Sequence, residues 1–269
     1  MEYDVTIKSG TIIDGTLLPR RVDDIRHQER ENRPDRTPAT RYGPEGAGRR
    51  RNSSPSPMNP TVRVVVPMKP LDESKQRLSG VLPDTRRRQL VLWMLRRVLS
   101  AAVMSGAGPV SVVGGDKSVK LLASLLGVHW EKDRHQGLNA TLVAAHADAA
   151  RDGIHGLLFL PADLPLVEAA DVISLTAACD GTNAVLAAGR RGGTNAIIAP
   201  TTAGFEFLMG DDSFARHIEA LDRNGTPWRS INSTSLAADI DLPEDFDLLE
   251  RQVPRLLGQL ADISQLFSP

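Results

Sequence analysis

The sequence contains a single cysteine, Cys179, among 269 residues, so no disulfide can form within the chain. Its six histidines, at positions 27, 129, 135, 146, 155 and 217, never fall at zinc-ligand spacing. Neither count points to a zinc or thiol enzyme. The chain also lacks an excess of either charge: its net charge is -1, which does not advertise a nucleic-acid or membrane partner. No apolar run approaches the length of a membrane span, and the opening MEYDVTIKSG lacks the basic-then-apolar order of a secretory signal. A cytoplasmic protein with a small-molecule partner is the expectation. The 41% of apolar residues suffices for a proper core.

The head of the chain differs from its body. Residues Tyr3 to Val22 read as strand, turn and strand, and YDVTIKSGTIIDGTLLPRRVDDI is similar to the opening strands of amidohydrolase-type enzymes. No His-x-His or barrel pattern follows, so residues 1–26 cannot carry that activity. Residues 27–60, dense in Arg, Pro, Ser and Gly, have little to bury and read as a disordered basic linker. Its Arg49-Arg50-Arg51 cluster reads as solvated. Met58 reads as the natural start, with the upstream piece a gene-prediction or fusion artefact.

From Val62 the pattern becomes regular. Apolar strand candidates at 63–67, 109–114, 156–161, 183–189 and 195–200 alternate with helical periods at 84–105, 117–126, 138–151, 168–178, 213–224 and 243–257. Pro83 and Pro243 stand where helices begin, Gly106 and Gly225 where they stop. Continuous rather than alternating apolar strands imply a sheet covered on both faces, hence an α/β domain with a mostly parallel sheet. Residues 61–269 are of a size for one such domain.

In an open α/β sheet, ligands bind beyond the carboxyl ends of strands, so polar residues just after a strand carry the most weight. In VPMKPLDESKQRL, Lys69, Lys75 and Arg77 follow the first strand and could wrap a polyphosphate, although the Walker spacing is absent. In FLPADLP, Asp163 emerges from a buried strand that Pro165 stops. A carboxylate there is either an ordinary turn residue or a Mg ligand. In AADIDLPEDF, Asp239 and Asp241 stand two apart, on one side of an extended segment. Two like charges 4 Å apart repel by about 4 kcal/mol at an effective dielectric near 20, so solvent or a cation must intervene. Gly137 and Asn139 mark a helix start, with the Asn either a cap or a reader of base or ribose. Gly192-Gly193, Thr194, Asn195 and Ser213 offer close backbone approach and neutral donors near another helix start. Ser213 and His217 lie four apart on one helix face, but without a Gly-x-Ser-x-Gly elbow a hydrolase is not indicated.

The order of these segments is specific: K-P-L-x(3)-K-x-R-L, G-L-N, L-P-A-D-L-P, G-G-T-N-A, G-x-x-S-F-x-x-H, then D-I-D-x-P-E-D. The series resembles the 2-phospho-L-lactate or phosphoenolpyruvate guanylyltransferases of coenzyme F-420 biosynthesis, over nearly all of residues 62–250. The resemblance implies a nucleotide-diphospho-sugar-transferase-like, Rossmann-related fold. It also implies transfer of GMP from GTP to a phosphorylated three-carbon acid, with release of pyrophosphate. By the same resemblance Asp163, Asp239 and Asp241 are Mg ligands, with Asp163, Lys69 and Lys75 catalytic. Lys69, Lys75, Arg77, Gly137 and Asn139 fall at the nucleotide, while Thr194, Gly210 and Ser213 hold the acid. Related enzymes are often dimers, so a homodimer is expected. One departure stands out: Asp211-Asp212 replace the family's usual neutral pair between Gly210 and Ser213. The same fold also carries nucleotidyltransferases for sugar phosphates or molybdopterin, and a non-catalytic GTP-binding module is the remaining alternative.

Overall fold

The computed structural model describes residues 5–12, 21–27 and 60–266. The expected linker at 27–60 and the expected start at Met58 fall almost wholly outside them. The chain divides into two compact units, Met1–Ser56 and Pro57–Pro269. In the first, β1 (Val5–Ile12) and β2 (Arg21–His27) pair antiparallel. The second strand runs past Val22 because Val5 and Thr6 take His27 and Arg26 as partners.

The second unit is a seven-stranded sheet. Its strands are β3 (Val62–Met68), β4 (Val110–Gly114), β5 (His129–Glu131), β6 (Gly156–Phe159), β7 (Ala184–Ala188), β8 (Thr194–Pro200) and β9 (Trp228–Ser230), in the order β5-β4-β3-β6-β8-β7-β9. All neighbours run parallel except β8, which is antiparallel to both β6 and β7. The expected mostly parallel sheet is therefore present. The helices are α1 (Asp84–Ser105), α2 (Lys117–Leu125), α3 (Leu138–Arg151), α4 (Ala169–Ala177), α5 (Ser213–Arg223), α6 (Pro243–Gln252) and α7 (Leu256–Gln265).

The strands are apolar at successive positions because the two faces feed different cores. Val62, Val64, Val66, Leu158 and Leu160 join α1, α2, α4, α6 and α7 in one cluster. Val65, Leu157 and Phe159, one register position away, join Leu142 of α3 and Leu221 of α5 in the other. Gly106 caps α1 at φ 66°, a left-handed conformation that a Cβ disfavours.

One expected helix is divided. The apolar period over 243–257 continues, but Val253 is extended (φ -112°, ψ 98°) and α7 begins afresh at Leu256. Pro254 is the cause, since its ring clashes with a helical residue before it and it has no N–H to donate. β5 and β9, three-residue strands at the two edges of this sheet, were not expected from the sequence.

Leu158 is fully buried in β6, between strands of the same sheet. Leu158→Ala should lower unfolding free energy by about 2–5 kcal/mol through the cavity it leaves, measured by urea denaturation.

Candidate active site

Functional side chains collect at the edge where β3, β6 and β7 end. After β3 the chain makes two 3-10 turns, Leu71–Glu73 and Gln76–Leu78, with Lys75 between them in the left-handed region (φ 53°). That conformation costs on the order of 1 kcal/mol for a residue with a Cβ. Buried Leu71 and Leu78 anchor the loop on either side of it. Lys75 is thereby turned inward, its side chain 10% exposed, with Nζ 2.5 Å from Asp163 Oδ2 and 2.7 Å from Asp241 Oδ1. The two Asp-Leu-Pro segments meet there because the Asp163 carbonyl accepts the Ile240 N–H at 3.3 Å. Burial alone would push the Lys75 ammonium toward neutrality, but Asp163 and Asp241 outweigh it and hold its pKa above the usual value. Burial likewise opposes the charge on Asp241, and Lys75, Arg191 and Arg77 together still hold its carboxyl below the usual range.

Arg191 is the residue that the sequence reading missed. It sits in the turn between β7 and β8 and donates to Asp239 Oδ2 at 2.8 Å and Asp245 Oδ1 at 3.0 Å, with Asp241 Oδ2 at 3.7 Å. Asp239 also accepts from Asn195 Nδ2 at 3.0 Å, and the same amide donates to the Leu236 carbonyl. The repulsion between Asp239 and Asp241 is thus relieved by a guanidinium within the chain. The available signal was the pair Arg190-Arg191 at the end of a strand, beside two glycines. Asp245 is held below the usual carboxyl range despite its burial, because Arg191 and the Leu242 and Asp241 N–H groups all donate to it.

The other expected residues divide into two groups. Lys69 and Arg77 are exposed on the same loop as Lys75. Gly137 stands at the N-terminus of α3 with φ 91°, and Asn139 lies inside the helix rather than capping it. The Asn139 amide pairs instead with the backbone of one residue: its Oδ1 accepts the Met209 N–H at 2.8 Å and its Nδ2 donates to the Met209 carbonyl at 3.5 Å. This joins α3 to the loop before Gly210, an exposed glycine with φ 126°. Thr194 and Ser213, by contrast, are buried and touch each other at 3.1 Å. Thr194 also lies 3.1 Å from His217 Nδ1, so the Ser213–His217 pair on one helix face is bridged by a third residue. Asp211 and Asp212 are both exposed, and a side chain at Gly192 would meet Asp212 Oδ1 at 3.2 Å. Asp212 therefore stands against the β7–β8 turn, and neither carboxylate is among the partners of Lys75.

Mg takes one or two protein carboxylates and completes its shell with water and phosphate oxygens. Asp163 and Asp241 fit that role, since both already direct an oxygen at one cation, the Lys75 ammonium. Among the described residues no group of three or more His, Cys, Asp or Glu side chains surrounds a common metal position. Asp239 is the exception among the three expected ligands, being engaged by Arg191 and Asn195.

A mostly parallel sheet with one reversed strand, and a lysine held between two aspartates at its edge, define an α/β protein with its polar site beyond the strand ends. The fold matches that of a Desulfovibrio desulfuricans G20 protein, named as a nucleotide-diphospho-sugar transferase, with a TM-score of 0.62 over 77% of this chain and 96% of the other at 15% identity. A nucleotidyl transferase from Methanothermobacter thermautotroptrophicus matches with a TM-score of 0.56 over 71% and 97% at 17% identity. The family described as "Guanylyl transferase CofC like" matches residues 62–251, and the chain belongs to it. The chain is 40% identical to the phosphoenolpyruvate guanylyltransferase of Rubrobacter xylanophilus over 71% of its own length and 94% of the relative's. It is 27% identical to the 2-phospho-L-lactate guanylyltransferase of Methanocaldococcus infernus over 68% and 82%. The protein is thus an enzyme of the nucleotidyltransferase class. No helix among the described residues is long and apolar enough to cross a membrane.

Burial pushes the His217 imidazole pKa down to about 4 from an ordinary 6.5. Below pH 6.5 the unfolded chain therefore binds a proton that the folded chain refuses until about pH 4. Stability contributed by neutral His217 is present above pH 6.5 and lost on acidification through that window. Urea midpoints measured from pH 7 to pH 4 should decline more steeply for the unaltered protein than for His217→Asn.

Proposed function

We propose that this protein transfers the guanylyl group of GTP to phosphoenolpyruvate, or to 2-phospho-L-lactate as the second acid, releasing pyrophosphate on the route to coenzyme F-420. The observation that carries the reading is the convergence of Lys75 with Asp163 and Asp241 at the sheet edge, in a chain of the guanylyltransferase family. The names of seven relatives favour phosphoenolpyruvate as the acid.

A phosphate oxygen of the acid attacks the α-phosphorus of GTP, a new P–O bond forms, and the bond to the β-phosphate breaks with its electrons leaving on pyrophosphate. The attacking oxygen is ionised near neutral pH, so no general base is required. What is required is compensation of charge, because two polyanions must meet. Lys75, with Lys69 and Arg77 on the same loop, supplies positive charge toward the triphosphate. Asp163 and Asp241 would hold Mg, with Asp239 adjoining and oriented by Arg191. Mg bound there supplies Lewis-acid stabilisation of the charge developing on the phosphoryl oxygens. Thr194, Gly210 and Ser213 would hold the acid.

Full-length protein incubated with GTP and Mg should release pyrophosphate with phosphoenolpyruvate, with 2-phospho-L-lactate giving the weaker signal. Sugar phosphates, 3-phosphoglycerate, CTP and ATP serve as comparisons, and turnover confined to a sugar phosphate would overturn the reading. Asp163→Asn should reduce turnover by about two orders of magnitude or more. Circular dichroism of the variant should be unchanged; near-normal turnover would remove the role given to this carboxylate.

A further inference from the structure

His217 is completely buried, takes no part in the transfer chemistry, and is tied into a directed chain of hydrogen bonds. The Leu208 N–H donates to its Nε2 at 2.9 Å. An imidazole nitrogen that accepts carries no proton, so the neutral ring holds its hydrogen on Nδ1. Nδ1 lies 3.1 Å from Thr194 Oγ1 and therefore donates to it. Thr194 in turn donates its own hydroxyl hydrogen to Ser213 Oγ at 3.1 Å. The first two directions follow from the backbone N–H of Leu208, which can only donate; the third rests on the geometry of the Thr194–Ser213 contact, in which the Thr194 hydroxyl is the donor. At the far end, Ser213 Oγ accepts from Thr194, so its own hydrogen points elsewhere. Phe205, its ring centroid 6.1 Å from that of His217 and nearly parallel, closes one face of the imidazole.

We propose that His217 is a positioning residue for the acid substrate: held as the Nδ1–H tautomer by Leu208, it orients Thr194 and Ser213 so that the Ser213 hydroxyl is free to donate to an anionic oxygen. The inference rests on the reading that Thr194 and Ser213 hold the acid. A reversed chain would leave Ser213 with its hydrogen committed to Thr194 and a lone pair facing the incoming anion. That reversal would weaken acid binding and leave GTP untouched. It would also explain why a helix of this family member carries a histidine, a threonine-facing donor, four residues after the serine at its first position.

Two substitutions separate the halves of the ring. In His217→Asn the amide nitrogen replaces Nδ1 as donor to Thr194; in His217→Gln the amide oxygen replaces Nε2 as acceptor from Leu208. Measured by pyrophosphate release with GTP, Mg and phosphoenolpyruvate, His217→Gln should raise the KM for the acid about tenfold, the loss of one oriented hydrogen bond. His217→Asn should keep that KM within about threefold, and the KM for GTP should stay constant in both. Equal effects of the two variants on the acid, or parallel effects on acid and GTP, would reduce His217 to a structural residue. Thr194 itself stands against the acid in the proposed function, so Thr194→Val should raise that KM at least about tenfold with His217 intact, and adding His217→Gln to it should change little, because the histidine acts through Thr194. The tautomer, read on the unaltered protein, keeps the proposal exposed even if a histidine variant fails to fold. Long-range proton–nitrogen spectra of the unaltered protein should place the His217 proton on Nδ1; a proton on Nε2 overturns the proposal. Absence of turnover by the unaltered protein with any acid would instead overturn the guanylyltransferase reading, while the spectra still test the tautomer.

Discussion

Four aspartates share one edge of the sheet, and the structure depends on how their charge is cancelled. Like charges 4 Å apart in a protein's surface layer repel by about 4 kcal/mol, which four carboxylates could not sustain together. Lys75 lies between Asp163 and Asp241, and Arg191 between Asp239 and Asp245. Each cation is aimed by a local backbone device. For Lys75 it is a left-handed residue between two 3-10 turns anchored by leucines; for Arg191 it is the short turn joining β7 to β8. The arrangement holds the carboxylates close together before any ligand arrives. Under the proposed function, a site prepared in this way would have little reorganising to do if a divalent cation took over part of the lysine's role.

The loop from Phe205 to Met209 is tied to both α3 and α5. Its Leu208 N–H goes to His217 and its Met209 N–H to Asn139, so consecutive peptides are gripped by side chains from α5 and α3. Such peptides, outside any strand or helix, would otherwise have to find water. The loop therefore has its position set from both helices, just ahead of Gly210.

Much of the architecture was legible because it depends on short-range pattern. The ends of α1 and α3 follow from the apolar period and from proline and glycine at the expected boundaries. The division of α6 from α7 was equally available, since Pro254 stands within the period, but the continuing apolar pattern concealed it. β5 and β9 were not legible, because three residues at a sheet edge carry too little periodicity. Asp163 was found by its position after a strand and Asp239 and Asp241 by their spacing of two in an extended segment, while Arg191 was missed for want of a partner visible in sequence.

Sequence alone determined the α/β class, the double-faced sheet and the segments from which the site is made, since each depends on residues near one another in the chain. Tertiary structure decided which charges meet. Lys75 lies 88 residues from Asp163 and 166 from Asp241, and nothing in their spacing says that one ammonium serves both. It also decided the direction of β8. Only because β8 runs opposite to β6 do its first residues, Thr194 and Asn195, arrive at the edge where β6 ends and Asp163 follows. A parallel β8 would have carried them to the far side of the sheet.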